Sequence, residues 1–386
     1  MKKVLFVIHG LGIGGIETCL VNLINALPSE KIQIDLLLEH PIYIMRDRIK
    51  AKINYVDVSK YIMDPSESLD AIKQHGGIMK NLFWFIRYAV FRVLVKIKAK
   101  KKWQIFKKLP KKYDVAIAYS QEGYGPYYVI DKVSAKKKVL WYHAGVYEYP
   151  DRRYQMDLKY YPKYNSIVCV SKDNKEVFNT YFANTAQKTI VLNNVIDVEL
   201  IKDKSTEFFP DSYKNSLNIV TVGRMVEQKR PDIAVKVCSE LIKKGHNIKW
   251  HWIGDGEDRE SILSMISTFG LEDVFILEGN QPNPYPYISC ADIYVQTSRH
   301  EAFCTTIMEA KVLCKPIVAT DVCGVRDQIE DNINGLITEA KVNAITQAVD
   351  YLIRNAELRN RFKNELQQND DPSKKSVEEY LQSIFL

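Results

Sequence analysis

The sequence predicts an α/β protein made of two doubly wound, Rossmann-like domains. Its length of 386 residues exceeds one ordinary core and suggests two domains of about 150 to 200 residues each. Short apolar runs alternate with helical stretches, which is typical of a parallel sheet covered on both faces. The alternation stops at a polar run, KDKSTEFFPDSYKNS, and then starts again. We therefore expect domains at residues 1–200 and 217–386, a linker at 201–216, and a last helix that packs back on the first domain.

The elements follow from the apolar runs and from local helix signals. In the first half the predicted strands are KVLFVIH, QIDLLLEH, DVAIAYS, KKVLWYH and SIVCVS, with helices from Glu17, across 78–108 and over KDNKEVFNTYF. In the second half they are NIVTVGRM, IKWHWIGDG, VFILEG, IYVQTS, KPIVATD and GLIT, with helices from Pro231, Asp258, Thr305 and Val342. The chain contains neither an internal repeat nor a low-complexity tract.

Cysteine usage and the N-terminal run indicate a cytoplasmic protein. The seven cysteines are scattered and include no CxxC pair, so they predict neither a disulfide framework nor a zinc site. The opening MKKVLFVIHG has a basic start, but glycines and Glu17 follow where a secretory segment would need a longer apolar region. We therefore expect this run to be the first strand.

The positive charge is concentrated in one segment. Residues 71–113 hold eleven lysines and two arginines and no acidic residue, within a net charge of +7 for the chain. Apolar residues at 82, 86, 89, 90, 93 and 97 share one helical face, and Trp103 and Phe106 interrupt the lysine-rich tail. The segment, near 78–112, is too short and too charged to span a bilayer.

Three interpretations of this basic segment stay open. It is a solvated basic helix with an ordinary core face, a contact with an anionic membrane, or a nucleic-acid patch. Aromatic residues among lysines favour a membrane interface, and the chain has no recognisable nucleic-acid module. We expect peripheral binding to the inner face of the cell membrane and no nucleic-acid partner.

The stretch VIHGLGIGGIETCL resembles a dinucleotide-binding turn. Gly10, Gly12 and Gly15 read as GxGxxG between a strand and a helix, and Glu39 is roughly where a nicotinamide enzyme binds ribose. Glycine-rich turns serve any ligand whose phosphate approaches a helix N-terminus, so the pattern is weak alone. A dehydrogenase, which would bind NADH, stays open on these residues.

The turn VGRMVEQKRPD carries a more specific pattern. Arg224 and Lys229 lie five residues apart after a strand, and Pro231 stands at a plausible first helical position. Two cations beside a helix N-terminus suit a diphosphate, whose charge grows when it leaves during a reaction. The alternative is an ordinary charged surface loop.

The run IYVQTSRHEAFCTTIMEA combines a strand, a loop with Glu301 and a helix with Glu309. Helical spacing places Glu309 on an apolar face, where a carboxylate needs donors such as ribose hydroxyls. The free amides near Thr305 and Thr306 suit a phosphate. The alternative is a buried glutamate that a neighbouring Arg or Lys satisfies.

With these motifs the chain resembles a retaining glycosyltransferase of the GT-B fold, family GT4, whose hallmark is two glutamates separated by seven residues, here Glu301 and Glu309. The resemblance extends to GGIE at 14–17, WYHAG with His143, SIVCVS, LNNVID, GRMVEQK and NPYPYISCADIYVQTS. Ala302 and Cys304 depart from the pattern, because the family usually has glycines there.

The resemblance implies a role for each matching residue. It places Arg224 and Lys229 on the diphosphate, Glu309 on the ribose and Glu301 on the hydroxyls of the transferred sugar. The donor site would also include Cys304, Thr305 and Thr306. His143 would face the sugar from the first domain, where Gly14 and Gly15 allow close approach of the backbone. The implied catalytic group is Glu301, His143, Arg224 and Lys229.

The resemblance also implies a reaction. A hexose or N-acetylhexosamine passes from a nucleotide sugar, most often a UDP-sugar, to a bacterial surface glycan that is lipid-linked, with retained configuration. The chain has no DxD pair, which agrees with chemistry that requires neither a metal nor another cofactor. The alternatives are a nucleotide-sugar epimerase of the same architecture and a catalytically silent sugar-nucleotide-binding scaffold.

Overall fold

A computed structural model describes residues 1–40, 42–56, 102–213, 216–368 and 372–385, together with the helical positions 86, 89 and 93. It contains one parallel sheet of seven strands and one of six, each flanked by helices. The predicted α/β fold of two doubly wound domains is therefore confirmed. Most of the basic segment near 78–112 lies outside the described residues. Within them, no helix combines the length and apolarity that crossing a membrane requires.

The first sheet has the strand order β3-β2-β1-β4-β5-β6-β7. Its strands are β1 Lys2–Ile8, β2 Ile32–Leu38, β3 Ile53–Tyr55, β4 Lys112–Ala118, β5 Ser134–Tyr142, β6 Ser166–Cys169 and β7 Thr189–Val191. The described α-helices of this half are α1 Gly15–Ala26, α2 Gly125–Lys132, α3 Asp151–Tyr160, α4 Lys172–Tyr181 and α5 Val198–Lys204. The predicted linker at 201–216 therefore begins inside α5, and a 3₁₀ turn follows at Asp211–Tyr213.

The second sheet has the order β10-β9-β8-β11-β12-β13. Its strands are β8 Leu217–Val222, β9 Ile248–Ile253, β10 Phe275–Gly279, β11 Ile293–Gln296, β12 Ile317–Thr320 and β13 Leu336–Thr338. The α-helices are α6 Pro231–Lys243, α7 Arg259–Thr268, α8 Tyr285–Cys290, α9 Thr305–Val312, α10 Val342–Arg354, α11 Ala356–Gln368 and α12 Pro372–Tyr380. In each sheet the strand order reverses next to the first strand, between β1 and β4 and between β8 and β11. Such a reversal opens a crevice at the carboxyl ends of the strands.

The end of the chain packs on the first domain. The Tyr380 ring lies 5.4 Å from the ring of Trp141 in β5, and its hydroxyl donates to the carbonyl oxygen of Asn193. A π-helical turn, Leu381–Phe385, follows α12 and brings the Phe385 ring to 6.4 Å from Phe6 of β1. These contacts bury aromatic side chains of the last residues in the core of the first domain.

Two aromatic residues that the sequence assigns to a membrane interface are buried instead. The Trp103 ring stacks on Tyr127 with centroids 4.4 Å apart, and its indole N–H donates to Asp131 at 2.7 Å. Phe106 lies 5.4 Å from Tyr124. Both side chains belong to the core of the first domain, so these two aromatic residues do not support a membrane interface.

Candidate active site

The carboxyl edges of the two sheets face each other and touch through loops. A Cβ atom on Gly145, after β5, would come within 2.0 Å of the carbonyl oxygen of Glu301, after β11. The Ser171 hydroxyl, after β6, donates to the carbonyl oxygen of Ala302 at 2.8 Å. A Cβ on Gly15, at the start of α1, would lie 4.0 Å from the Thr305 hydroxyl at the start of α9. Two helix N-termini thus meet across the crevice, where ligands of doubly wound sheets bind.

Lys229 and Glu301 form a buried ion pair inside this crevice. The 3₁₀ turn Glu227–Lys229 is followed by Arg230 in the left-handed region, with φ of 55°, and this geometry turns the chain into α6. Lys229 Nζ lies 2.5 Å from Glu301 Oε1, and the Ser298 hydroxyl donates to the same oxygen at 2.7 Å. Burial by itself would lower the Lys229 pKa, but the Glu301 charge raises it above its usual value. The ammonium is therefore a permanent cation of the site.

Arg224 is the second predicted cation, and its environment is different. Its side chain is exposed and has neither an ion pair nor a hydrogen bond to the described residues. Its charge reaches Glu17 in the first turn of α1, where it opposes the rise in pKa that burial causes. Arg224 therefore offers an unpaired guanidinium to a ligand at the side of the crevice that α1 lines.

Glu309 lies one turn inside α9 with little solvent contact, being 9% exposed. The Tyr285 hydroxyl donates to Glu309 Oε1 at 3.4 Å, a long bond that satisfies the carboxylate poorly. Burial raises the Glu309 pKa to about 7, against the smaller opposing effects of Tyr285 and the Arg48 charge. A buried carboxylate with spare acceptor capacity suits a ligand that brings hydroxyl donors.

The three predicted donor-site residues at the start of α9 differ in orientation. Cys304 is the N-cap residue of α9, and its side chain makes no standard capping hydrogen bond to the first turn of the helix. Burial raises the Cys304 pKa to about 11, so it is a thiol. Thr306 Oγ1 lies 2.7 Å from the Tyr294 hydroxyl inside the domain, whereas the Thr305 hydroxyl is near Gly15. Thr305 and the helix amides are thus the groups that a ligand can reach.

His143 is held through its backbone at the end of β5. Its N–H donates to Gln121 Oε1 at 2.9 Å, while Nε2 of the ring is buried with no hydrogen-bond partner among the described residues. Burial lowers the His143 pKa to about 3, so the imidazole is neutral. A neutral ring with one unsatisfied nitrogen suits a hydrogen bond to an uncharged ligand.

The glycine turn and Glu39 do not form a nicotinamide site. Gly14 is the N-cap of α1, and a Cβ there would lie 2.3 Å from Glu17 Oε2. Glu39 Oε2 accepts the N–H of Tyr124 at 3.1 Å and Oε1 accepts that of Gly125, so its carboxylate faces the N-terminus of α2. Each oxygen already has a protein donor and the carboxylate is only 2% exposed, which leaves Glu39 little room for the two hydroxyls of a ribose.

Several residues of the site were missed by sequence reasoning. They act on the predicted residues through hydrogen bonds or charge and are Glu17, Arg48, Gln121, Tyr285 and Ser298. All except Ser298 are distant in the chain from the residues they act on. Glu17, Tyr285 and Ser298 stand in the quoted motifs GGIE and NPYPYISCADIYVQTS and so had a local signal, whereas Arg48 and Gln121 had none. One group among the described residues, His9, Glu39 and His40, has metal-ligating atoms that all lie within 4.8 Å of one another.

Comparison with known sequences identifies a family and several relatives that match about half of the chain. Residues 202–369 match the profile of the family described as glycosyl transferases group 1. An uncharacterised glycosyltransferase of Methanocaldococcus jannaschii is 28% identical over 203 residues, 50% of each chain. The poly(ribitol-phosphate) alpha-N-acetylglucosaminyltransferase of Staphylococcus aureus is 28% identical over 51% of this chain and 41% of its own. The chain therefore spans about half the length of the curated relatives it matches.

A third relative carries a lipid carrier in its name. It is the N-acetylgalactosamine-N,N'-diacetylbacillosaminyl-diphospho-undecaprenol 4-alpha-N-acetylgalactosaminyltransferase of Campylobacter jejuni, 28% identical over 53% of this chain and 55% of its own.

Solved structures resemble the whole chain in fold. HepE of Anabaena in complex with UDP superposes with a TM-score of 0.73 at 15% identity, covering 99% of both chains. TarM of Staphylococcus aureus, in a complex that includes UDP, gives a TM-score of 0.72 at 16% identity and also covers 99% of both. Residues 202–369 thus match the family of the glycosyl transferases group 1, and the two domains of the chain have the GT-B fold.

Proposed function

We propose that this chain is a retaining glycosyltransferase that moves a hexose or N-acetylhexosamine from a UDP-sugar to a glycan acceptor. The observation that carries the proposal is the arrangement of Arg224, Lys229 and the α9 N-terminus around one crevice, with Glu309 one turn further along the helix. Cations and free amides suit a diphosphate, and a poorly satisfied carboxylate suits a ribose. The diphosphate and the ribose are the parts of a nucleotide sugar that leave together in the nucleoside diphosphate.

The diphosphate is neutralised by protein groups in this proposal. Arg224 binds it directly because its guanidinium is unpaired in the described structure. Lys229 shares its ammonium between Glu301 and a phosphate oxygen, since an ammonium has three donors. The charge that builds on the leaving diphosphate is then stabilised without a metal ion, and no other cofactor is required.

Transfer occurs by attack on the face from which UDP departs. The bond between the anomeric carbon and the phosphate oxygen breaks, the acceptor oxygen bonds to that carbon on the same face, and the acceptor proton passes to the leaving phosphate. Glu301 binds the sugar hydroxyls, and neutral His143 hydrogen-bonds the sugar through Nε2. Gly14 and Gly15 leave room for the acceptor beside α1, and closure of the crevice excludes water.

We propose a bacterial surface glycan, carried on a lipid, as the acceptor. The names of the Staphylococcus and Campylobacter relatives, which include poly(ribitol-phosphate) and diphospho-undecaprenol, support this acceptor class. Positions 86, 89 and 93, one face of a helix, are all exposed, with Ile86 and Val93 at 54% and 53%. This exposure favours the membrane interpretation of the basic segment over an ordinary core face. The chain would then act peripherally at the cytoplasmic face of the membrane.

A panel of nucleotide sugars tests the donor class. Because a ligand of the folded state raises the melting temperature, the true donor and UDP should stabilise the wild type, and Glu309→Gln should reduce both effects. The product formed on a lipid-linked glycan acceptor is then analysed by NMR for its anomeric configuration. Retention supports the proposal, and an inverted product contradicts it.

The same panel separates the alternative functions. Isomerisation of the donor without acceptor would indicate an epimerase, and donor binding without turnover on any acceptor would indicate a scaffold. A fluorescence titration with NADH should give no response, because Glu39 already binds two backbone amides.

A further inference from the structure

Three metal-ligating side chains lie at the carboxyl edge of the first sheet. Strands β1 and β2 are parallel neighbours, with Ile8 beside Leu38 at their ends. The pairing continues beyond the strands, because the N–H of Glu39 donates to the Ile8 oxygen and that of His40 to the His9 oxygen, both at 2.8 Å. The backbones of His9, Glu39 and His40 are therefore fixed relative to one another.

Glu39 is a buried carboxylate that the protein holds in one orientation. Its exposed fraction is 2%, and its oxygens accept the amides of Tyr124 and Gly125 at the start of α2. Gly123 has φ of 65°, and a Cβ atom there would lie 2.0 Å from Glu39 Oε2, so only a glycine leaves room for the carboxylate. Such outer hydrogen bonds are what orient a metal-ligating carboxylate. Each oxygen keeps a further lone pair for an ion.

The two imidazoles lie beside this carboxylate. The rings of His9 and His40 have centroids 4.1 Å apart and are tilted by 56°. His9 Nδ1 lies 3.7 Å from Glu39 Oε2, and one ligand atom of each of the three residues lies within 4.8 Å of the others. Ligand atoms on one tetrahedral zinc ion are about 3.4 Å apart. Rotation of the His9 side chain, which is 46% exposed, can close this difference.

We propose that His9, Glu39 and His40 bind a divalent transition metal ion of the Zn²⁺ type. Two imidazoles and one carboxylate match the ligands that zinc prefers, whereas magnesium and calcium prefer oxygen ligands alone. Three protein ligands leave a coordination position open on the solvent side of His9. Metal binding itself does not depend on the proposed glycosyl transfer.

The location of this site in the fold indicates which ligand could occupy the open coordination position of the metal ion. His9 directly precedes the glycine turn of Gly10 to Gly15, which leads into α1 on the acceptor side of the crevice. The ion would therefore lie on the acceptor side of the crevice, away from the Lys229 and Glu301 pair of the second domain. The open coordination position would bind an oxygen atom from a hydroxyl or phosphate group of the acceptor. This part of the inference rests on the proposed function.

Metal titration of the tag-free, chelator-treated full chain tests the site. We expect calorimetry to show one Zn²⁺ per chain, and Co²⁺ to produce the visible absorption of a low-symmetry site. His9→Ala and His40→Ala should each weaken binding at least about ten-fold while circular dichroism stays unchanged. The control is His246→Ala, because His246 pairs with Asp350 at 2.5 Å but belongs to no group of three ligands among the described residues.

Three outcomes would overturn the site. The first is the absence of stoichiometric binding to the wild type, and the second is undiminished binding in either His9→Ala or His40→Ala. A loss in His246→Ala equal to that of the two variants would also overturn it. None of these measurements uses glycosyl transfer, so failure of the metal site is distinguishable from failure of the proposed function.

Discussion

The ammonium of Lys229 lies 2.5 Å from the carboxylate of Glu301, so the two residues are one ion pair. The family resemblance assigns them to different parts of a ligand, Lys229 to the diphosphate and Glu301 to the transferred sugar. Their contact joins the two assignments, because a ligand that binds either residue changes the environment of the other. The Ser298 hydroxyl donates to the same carboxylate oxygen, so Glu301 keeps a hydrogen-bond partner when a ligand binds Lys229.

Arg224→Ala and Lys229→Ala should differ in stability although both slow the reaction. Each removes a cation from the leaving diphosphate, which should cost about 2 to 4 kcal/mol of transition-state stabilisation in kcat/KM. Only Lys229→Ala leaves Glu301 buried without its partner, so only this variant should lose about 3 kcal/mol of unfolding free energy. Initial rates and urea unfolding measure the two effects.

The control for this pair is Arg299→Ala. Arg299 forms an exposed ion pair with Glu227 at 2.6 Å, and exposed pairs contribute little. It should change neither rate nor stability. If Arg224→Ala and Lys229→Ala both fold and keep near-wild-type turnover, the proposal that these residues bind the diphosphate is contradicted.

Glu301→Gln and Glu309→Gln should change different kinetic constants. Glu309 binds an unreactive part of the donor, so its variant should raise the donor KM and weaken free UDP in parallel. Glu301 touches the sugar whose anomeric carbon gains positive charge, so its variant should lower kcat. UDP affinity should not fall in Glu301→Gln, because Lys229 is then released to the diphosphate. If Glu301→Gln instead lost UDP affinity and Glu309→Gln lost only kcat, the donor would lie in a different orientation in the crevice.

The pH dependence of donor binding should report Glu309. Burial raises its pKa to about 7, so the carboxylate that accepts ribose hydroxyls forms only as the pH passes through this value. Affinity for a UDP-sugar, whose diphosphate diester does not titrate in this range, should therefore rise between pH 6 and about pH 8. The rise should be absent in Glu309→Gln, as calorimetry at several pH values will measure. A wild-type affinity that does not change with pH would contradict the assignment.

The stability of the free protein should change in the opposite direction. The folded-state pKa of Glu309 lies above its ordinary value of 4.5, so ionisation is harder in the folded chain than in the unfolded one. Glu309 therefore removes stability as the pH rises from about 4.5 to about 7, by at most about 3 kcal/mol. Glu309→Gln should be more stable than the wild type at pH 8 and not at pH 4, as urea unfolding will show.

Binding to anionic liposomes should depend on both charge and the exposed apolar face. Each lysine near such a surface contributes about 1 kcal/mol, which salt screens. The double variant Ile86→Asp and Val93→Asp should bind anionic vesicles several-fold more weakly in a sedimentation assay. The control is Leu263→Asp, at a 40% exposed leucine on α7 of the other domain. Equal binding to neutral and anionic vesicles, or binding to neither, would contradict membrane association.

The sequence by itself determined the fold class and the start of the key helices. Alternation of apolar runs and helical stretches is a local signal, and parallel strands place all following loops at one sheet edge. Local signals also explain why α6 begins at Pro231 and α9 at Thr305, as predicted. Helical spacing likewise placed Glu309 on a buried face, and the structure leaves it 9% exposed.

Only the tertiary structure decided which of these groups meet. Lys229 and Glu301 are 72 residues apart, and neither spacing nor composition predicts that their charges touch. Trp103 shows the same limit, because an indole among lysines is compatible with either a membrane or a core. The structure buries it against Tyr127 and Asp131, more than twenty residues further along the chain. A local pattern fixes what a side chain can do, but its environment comes from distant segments that packing brings together.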